Sequence, residues 1–168
     1  MPLNTLRTVV LALSLGFCSS SFAQKDEALF KAAEARKAAF VVDLETLVNI
    51  DSGTGYVEGL SKIEAILVAR LKALGAEVKL VASEEPAVGN IIVGTLQGKG
   101  TRNVMLMVHY DTVFATGEAA KRPFKMVGNK AFGPGVADAK PGLLFILNSL
   151  EMMKERGFDR YKTITIVF

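Results

Sequence analysis

Asn103-Val-Met-Leu-Met-Val-His-Tyr-Asp-Thr112 is an apolar run that stops abruptly at a histidine and an aspartate two residues apart. Residues 103–108 read as a strand, bounded upstream by the turn-forming Gly98-Lys-Gly100. Two similar runs rich in Val, Ile and Leu precede it, Glu77 to Val81 and Asn90 to Leu96, separated by Glu84-Glu-Pro86. Further upstream the period changes from two to nearly four. Leu60, Ile63, Leu67, Leu71 and Leu74 recur at helical spacing, which predicts a helix over 56–74 that stops at Gly75. Another helix is expected from Lys25 to about Ile50, with Leu29 near its start and Phe40, Val41, Leu44, Leu47 and Val48 as its apolar stripe. Asp51-Ser-Gly-Thr-Gly55 between the two helices favours a turn.

Downstream, residues 124–127 and 130–132 flank Gly128-Asn129 and predict a small hairpin. Pro141 can open a helix, since its missing N–H costs nothing in the first turn. Leu143, Leu144, Ile146, Leu147, Leu150 and Met153 give that helix an apolar side, and Gly157 ends it. Residues 162–168 are a last strand whose fully apolar end suggests entry into a buried sheet. Domains seldom stop on such a strand, so the expectation is a chain that has been cut. The order of elements implies an α/β fold, part of a mixed sheet flanked by helices.

The 168-residue chain is 50% hydrophobic and 22% charged, ordinary values for one globular domain. Its N-terminus is set apart. A lone Arg7, an apolar run from Val9 to Phe17 and the small residues of Ser21-Phe-Ala23 have the layout of a secretory signal peptide, residues 1–23. Cleavage there leaves 168 − 23 = 145 residues, an exported chain in the periplasm or secreted. The single cysteine, Cys18, lies inside this segment, which excludes a disulfide-stapled mature fold. Leu15-Gly-Phe-Cys18 is a poor lipoprotein box, because Phe17 is bulky. Losing Arg7 leaves 20 − 1 = 19 basic against 17 acidic residues, a spread-out charge that implies no nucleic-acid partner. No other stretch is apolar enough to span a membrane.

His109 is the single histidine, so any imidazole chemistry passes through it. It follows a strand directly, where open α/β sheets gather their ligands. Residues two apart on an extended chain point the same way, placing Asp111 beside it. A carboxylate there fixes the imidazole tautomer and raises its basicity toward a metal. A structural hydrogen bond by a strand-end histidine accounts for the same spacing. Asp138, within Gly133-Pro-Gly-Val-Ala-Asp-Ala-Lys-Pro-Gly142, has two readings as well: a site residue on a fixed loop, or the N-cap of the following helix. No phosphate-cradling glycine pattern is present. Glu84 and Glu85 read as solvated charges, Lys121 and Arg122 as a surface pair, and the six methionines as core or leader residues.

Leu106-Met-Val-His-Tyr-Asp-Thr-Val113 followed by Phe132-Gly-Pro-Gly-Val-Ala-Asp-Ala-Lys140 resembles the dinuclear zinc metallopeptidases related to aminoacylase and glutamate carboxypeptidase. The likeness is greatest to the glutamate carboxypeptidase (carboxypeptidase G) branch. It extends upstream through Leu47-Val-Asn-Ile-Asp-Ser-Gly-Thr-Gly55 and Val88-Gly-Asn-Ile-Ile-Val93. The resemblance implies two zinc ions, with His109 a ligand of one, Asp138 bridging both, and Asp111 the catalytic carboxylate that orients His109. It implies hydrolysis of a peptide or amide bond in a small peptide or N-acyl amino acid, releasing a C-terminal residue, typically glutamate.

Residues 24–168 then correspond to the N-terminal portion of an incomplete zinc-exopeptidase catalytic domain. In the family an acidic pair holding the general base follows the strand matching 162–168. A further carboxylate, a second histidine and an inserted dimerisation domain come later. These lie beyond this sequence, so the chain alone is expected to be inactive, and a dimer is possible only in the complete protein. Ala139 and Pro141 depart from the acidic residue and glycine common in relatives. Two other outcomes fit a cut chain: a non-catalytic truncated remnant with an exposed final strand edge, or a small secreted binding module pairing through that edge.

Overall fold

A computed structural model describes residues 26–84 and 89–168. The expected signal peptide, Cys18, Glu85, Pro86 and Val88 lie outside the described residues. In place of one helix over 25–50 there are two, α1 (Glu27–Ala35) and α2 (Lys37–Val48), joined at Arg36. The Arg36 guanidinium reaches Asn148 Oδ1 at 3.3 Å, Glu151 Oε2 at 3.0 Å and the Glu155 carboxylate, so a distant helix holds the joint. α1 buries nothing and Leu29 is exposed, whereas α2 buries Leu44, Leu47 and Val48. Phe40 stacks on Phe145 with ring centroids 5.0 Å apart.

α3 (Val57–Leu74) buries Leu60, Ile63, Leu67, Leu71 and Leu74, the stripe its periodicity predicts, and Gly75 closes it at φ +91°. Its first turn lies on the chain before it. A Cβ on Gly59 would sit 1.7 Å from the Asp51 carbonyl oxygen, so only glycine allows that approach.

β1 (Glu77–Ala82), β2 (Asn90–Gln97), β3 (Asn103–Met107) and β6 (Thr163–Val167) form one sheet in the order β1-β2-β6-β3. β2 is antiparallel to both neighbours, and β3 runs parallel to β6 with Met107 opposite Val167. Between β3 and β6 lie α4 (Glu118–Lys121), the hairpin β4 (Lys125–Val127) and β5 (Lys130–Phe132), and α5 (Lys140–Glu155). The sheet is therefore mixed and flanked by helices, as the order of elements implies.

One core joins α2, α3, α5 and a face of the sheet: Leu47, Ile63, Leu67, Ile92, Leu143, Leu147, Ile164 and Ile166 are fully or almost fully buried. Other points also differ from the sequence reading. β6 presents no free edge, because it pairs on both sides; the edges belong to β1 and β3. Met105 and Met107 are exposed, since they share a row with Thr165 and Val167 on the face away from the buried Ile164 and Ile166. Met126 is exposed as well, and Met152 alone among the methionines of the described residues is buried. Glu84 is exposed, while Lys121 and Arg122 lie at the surface and pair with Glu118. No helix of the described residues is long and apolar enough to cross a membrane.

Candidate active site

His109 emerges two residues past β3, at the carboxyl ends of the parallel pair β3/β6, where Val108 N–H still donates to Val167 O at 3.2 Å. Its Nδ1 lies 3.0 Å from Asp111 Oδ1 and 3.1 Å from the Asp111 carbonyl oxygen. Its Nε2 lies 3.0 Å from Asp138 Oδ1, carried by the loop leading into α5. All three residues singled out from sequence therefore meet. The N-cap reading of Asp138 does not hold. The cap position of α5 is Ala139, with no side-chain cap, and the Asp138 carboxylate faces His109 instead.

A neutral imidazole has one N–H and one lone pair. With the N–H on Nδ1 directed at Asp111, Nε2 and Asp138 Oδ1 become two electron-pair donors aimed at each other. That arrangement takes up a proton or a cation. Burial of the ring pushes the His109 pKa down, but the carboxylates of Asp138 and Asp111 outweigh it and leave the pKa raised. Asp138 is 82% exposed and His109 51%, so the pair is open to an incoming ion.

The loop 51–55 is laced to the segment that carries Asp111. Thr112 N–H donates to Ser52 O at 2.8 Å, Thr54 N–H to Thr112 O at 2.9 Å, and Gly53 bridges Thr112 in parallel. Thr54 Oγ1 lies 2.5 Å from Asp111 Oδ2. Asp51 accepts the N–H groups of Gly117 at 2.8 Å and Ala119 at 2.9 Å. Behind the loop, Lys140 is only 1% exposed and donates from Nζ to Leu47 O at 2.8 Å and Ile50 O at 2.7 Å. Burial pushes its pKa down to about 8, against the pull of the Asp51 charge. Beside His109 a cleft is walled by Ser83, Gly89, Asn90 and Tyr110, and Tyr110 Oη donates to Asn90 O at 2.7 Å.

Sequence reasoning missed Asp51, Thr54 and Lys140 as members of this assembly. The first two lay in a stretch read as a turn, and Lys140 in a motif where only Asp138 carried chemistry. A nitrogen and a carboxylate oxygen are donors that zinc accepts, with Asp111 supplying the orienting hydrogen bond behind the ring. The described residues contain no group of three or more His, Cys, Asp and Glu able to hold a metal. His109 and Asp138 thus fit zinc as part of a site, two donors toward the three protein ligands of a catalytic zinc.

Residues 105–168 match the profile of Peptidase family M20/M25/M40. Carboxypeptidase G2 of Pseudomonas sp. (strain RS-16) is 44% identical over 165 residues, covering 96% of this chain and 40% of that relative. This chain thus spans about two fifths of its length. A tripeptidase from Staphylococcus aureus is similar in structure at 28% identity and TM-score 0.63, over 76% of this chain and 35% of that one. Human carnosine dipeptidase 1 shares the fold at TM-score 0.71 and 21% identity, over 84% and 33% of the two chains. The stretch from β3 to β6 thus resembles the M20/M25/M40 peptidases, and a 44%-identical relative aligns along nearly all of the chain.

Proposed function

We propose that this chain contributes His109 and Asp138 to the site of a zinc-dependent, carboxypeptidase-like hydrolase that cleaves a peptide or amide bond and releases a C-terminal amino acid, with glutamate the favoured residue. The observation that carries the reading is the approach of His109 Nε2 to Asp138 Oδ1 at 3.0 Å, with Asp111 holding the opposite ring nitrogen. The relative named carboxypeptidase G2 supports the bond and the end attacked. Zinc bound there supplies Lewis-acid chemistry, polarising a scissile carbonyl and lowering the pKa of an attacking water.

The chain's own part is to present the donors. Asp111 keeps the proton on Nδ1, so the Nε2 lone pair is available to a cation, and Asp138 adds negative charge on the same spot. The cleft beside His109 is where a small peptide or N-acyl amino acid is proposed to lie. The proposal takes residues 1–23 as a signal peptide, 24–168 as the N-terminal portion of the catalytic domain, and the protein as exported to the periplasm or beyond. Two zinc ions, and any dimer, belong to the complete site and the complete protein.

Calorimetric titration of zinc into the chain tests the reading. Binding that disappears in His109→Ala and in Asp138→Ala is expected. Binding that persists unchanged in both variants would falsify it.

A further inference from the structure

We propose that Thr54 is a positioning residue of this site: its hydroxyl pins the second oxygen of Asp111 and thereby sets the tautomer and aim of His109. The inference rests on the reading of His109 as a zinc ligand. A carboxylate held through one oxygen can still rotate about its last side-chain bond. Asp111 is held through both, Oδ1 on His109 Nδ1 at 3.0 Å and Oδ2 on Thr54 Oγ1 at 2.5 Å.

The hydroxyl has one proton and two acceptors in reach. The Thr112 carbonyl oxygen is at 3.3 Å, and the shorter, charge-assisted bond is the one to Asp111. Thr54 is exposed, so water could satisfy its hydroxyl, and burial does not force the contact. The backbone that presents it is built to do so. Thr54 N–H is fixed on Thr112 O and Tyr56 N–H on Gly53 O at 2.8 Å. Asp51 ties the loop to Gly117 and Ala119, and buried Lys140 ties its start through Ile50 O. Three layers follow, loop to hydroxyl, hydroxyl to carboxylate, carboxylate to imidazole, with only the last facing the ion. Partners of this outer kind govern ligand orientation and metal affinity.

The chain has one histidine, so labelling histidine with ¹⁵N gives a single imidazole to observe. In the 168-residue chain at alkaline pH, where the ring is neutral, the nitrogen shifts should report the proton on Nδ1. Thr54→Val is expected to move them toward a mixture of tautomers and weaken zinc binding by about tenfold, the lower end for an outer partner. Thr54→Ala should behave the same way, and Thr54→Ser, which keeps the hydroxyl, should restore both readouts. Unchanged shifts and affinity in Thr54→Val would overturn the proposal, and so would a Thr54→Ser variant as impaired as Thr54→Val. Zinc binding that survives His109→Ala would instead sink the reading of the site, a result separable from His109-dependent binding indifferent to Thr54.

Discussion

His109 Nε2 and Asp138 Oδ1 stand 3.0 Å apart, although 29 residues separate them. One ends a strand and the other precedes a helix, and the parallel crossover from β3 through α5 to β6 brings both to the same end of the sheet. The pair is solvent-open and lies outside the packed interior. Removing its charge should therefore affect the ion far more than the fold.

Asp138→Asn is expected to abolish most zinc uptake while leaving urea-unfolding stability within about 0.5 kcal/mol of wild type, as for surface changes that touch no core or cap. Parallel calorimetry and denaturation check this. A large loss of stability would mean that Asp138 is structural, as the cap reading supposed.

Lys140 should behave in the opposite way. Its Nζ is the donor to Leu47 O and Ile50 O at the end of α2, and it is buried. Lys140→Met fills the space but leaves both carbonyls without that donor, an expected cost of about 1–3 kcal/mol. Lys140→Ala adds a cavity and should cost more. Both variants should also loosen the loop that carries Thr54, since Ile50 immediately precedes it. Equal or greater stability of Lys140→Met would show that the carbonyls find other partners.

Asp51 ties the acid stability of the fold to this loop. Burial pushes its pKa up, but the N–H groups of Ala119 and Gly117 and the charge of Lys140 pull harder, leaving it below the ordinary 3.8. A carboxylate whose folded pKa is depressed contributes stability that is present above the unfolded value and is lost as pH falls through the folded one. The stability gap between wild type and Asp51→Asn should be full at neutral pH and shrink once the pH drops below about 4. Urea titrations at neutral and acid pH measure it. A gap that stays constant would assign the effect to lost geometry alone.

How much of this was legible in sequence depends on the range of the forces involved. The stripe of α3, the stop at Gly75 and the hairpin around Gly128-Asn129 are set by neighbours a few residues away, and periodicity and turn chemistry read them. The break at Arg36 is invisible locally, because the partners that hold the joint, Glu151 and Glu155, lie far along the chain on α5. The exposure of Met105 and Met107 follows from their lying on the sheet face away from the buried Ile164 and Ile166, a fact of register that residue type does not carry. At the site, His109, Asp111 and Asp138 were legible as candidates from residue type and spacing, which left structural readings open, and the resemblance to a zinc metallopeptidase family implied their roles. Thr54 and Lys140 were not legible, because their roles exist only once loop 51–55 is laid along residues 111–114.

Gly53 gives the test of whether that laying-down matters to the site. A Cβ there would fall 2.2 Å from the Phe114 carbonyl oxygen and 3.3 Å from its carbon, both backbone atoms that cannot swing aside. Gly53→Ala must push the two segments apart, straining the bonds from Thr54 N to Thr112 O and from Thr112 N to Ser52 O. Overpacking of this kind costs about 1–3 kcal/mol. Gly128→Ala is the matched control: Gly128 has φ +58° in the hairpin turn with open space around it, so alanine brings backbone strain of about 1–2 kcal/mol and no clash. Both variants should lower stability by similar amounts. Only Gly53→Ala should also shift the His109 nitrogen resonances and weaken zinc binding, since only it displaces Thr54 from Asp111. Equal effects of the two on the ring would trace them to global loosening and uncouple the loop from the site.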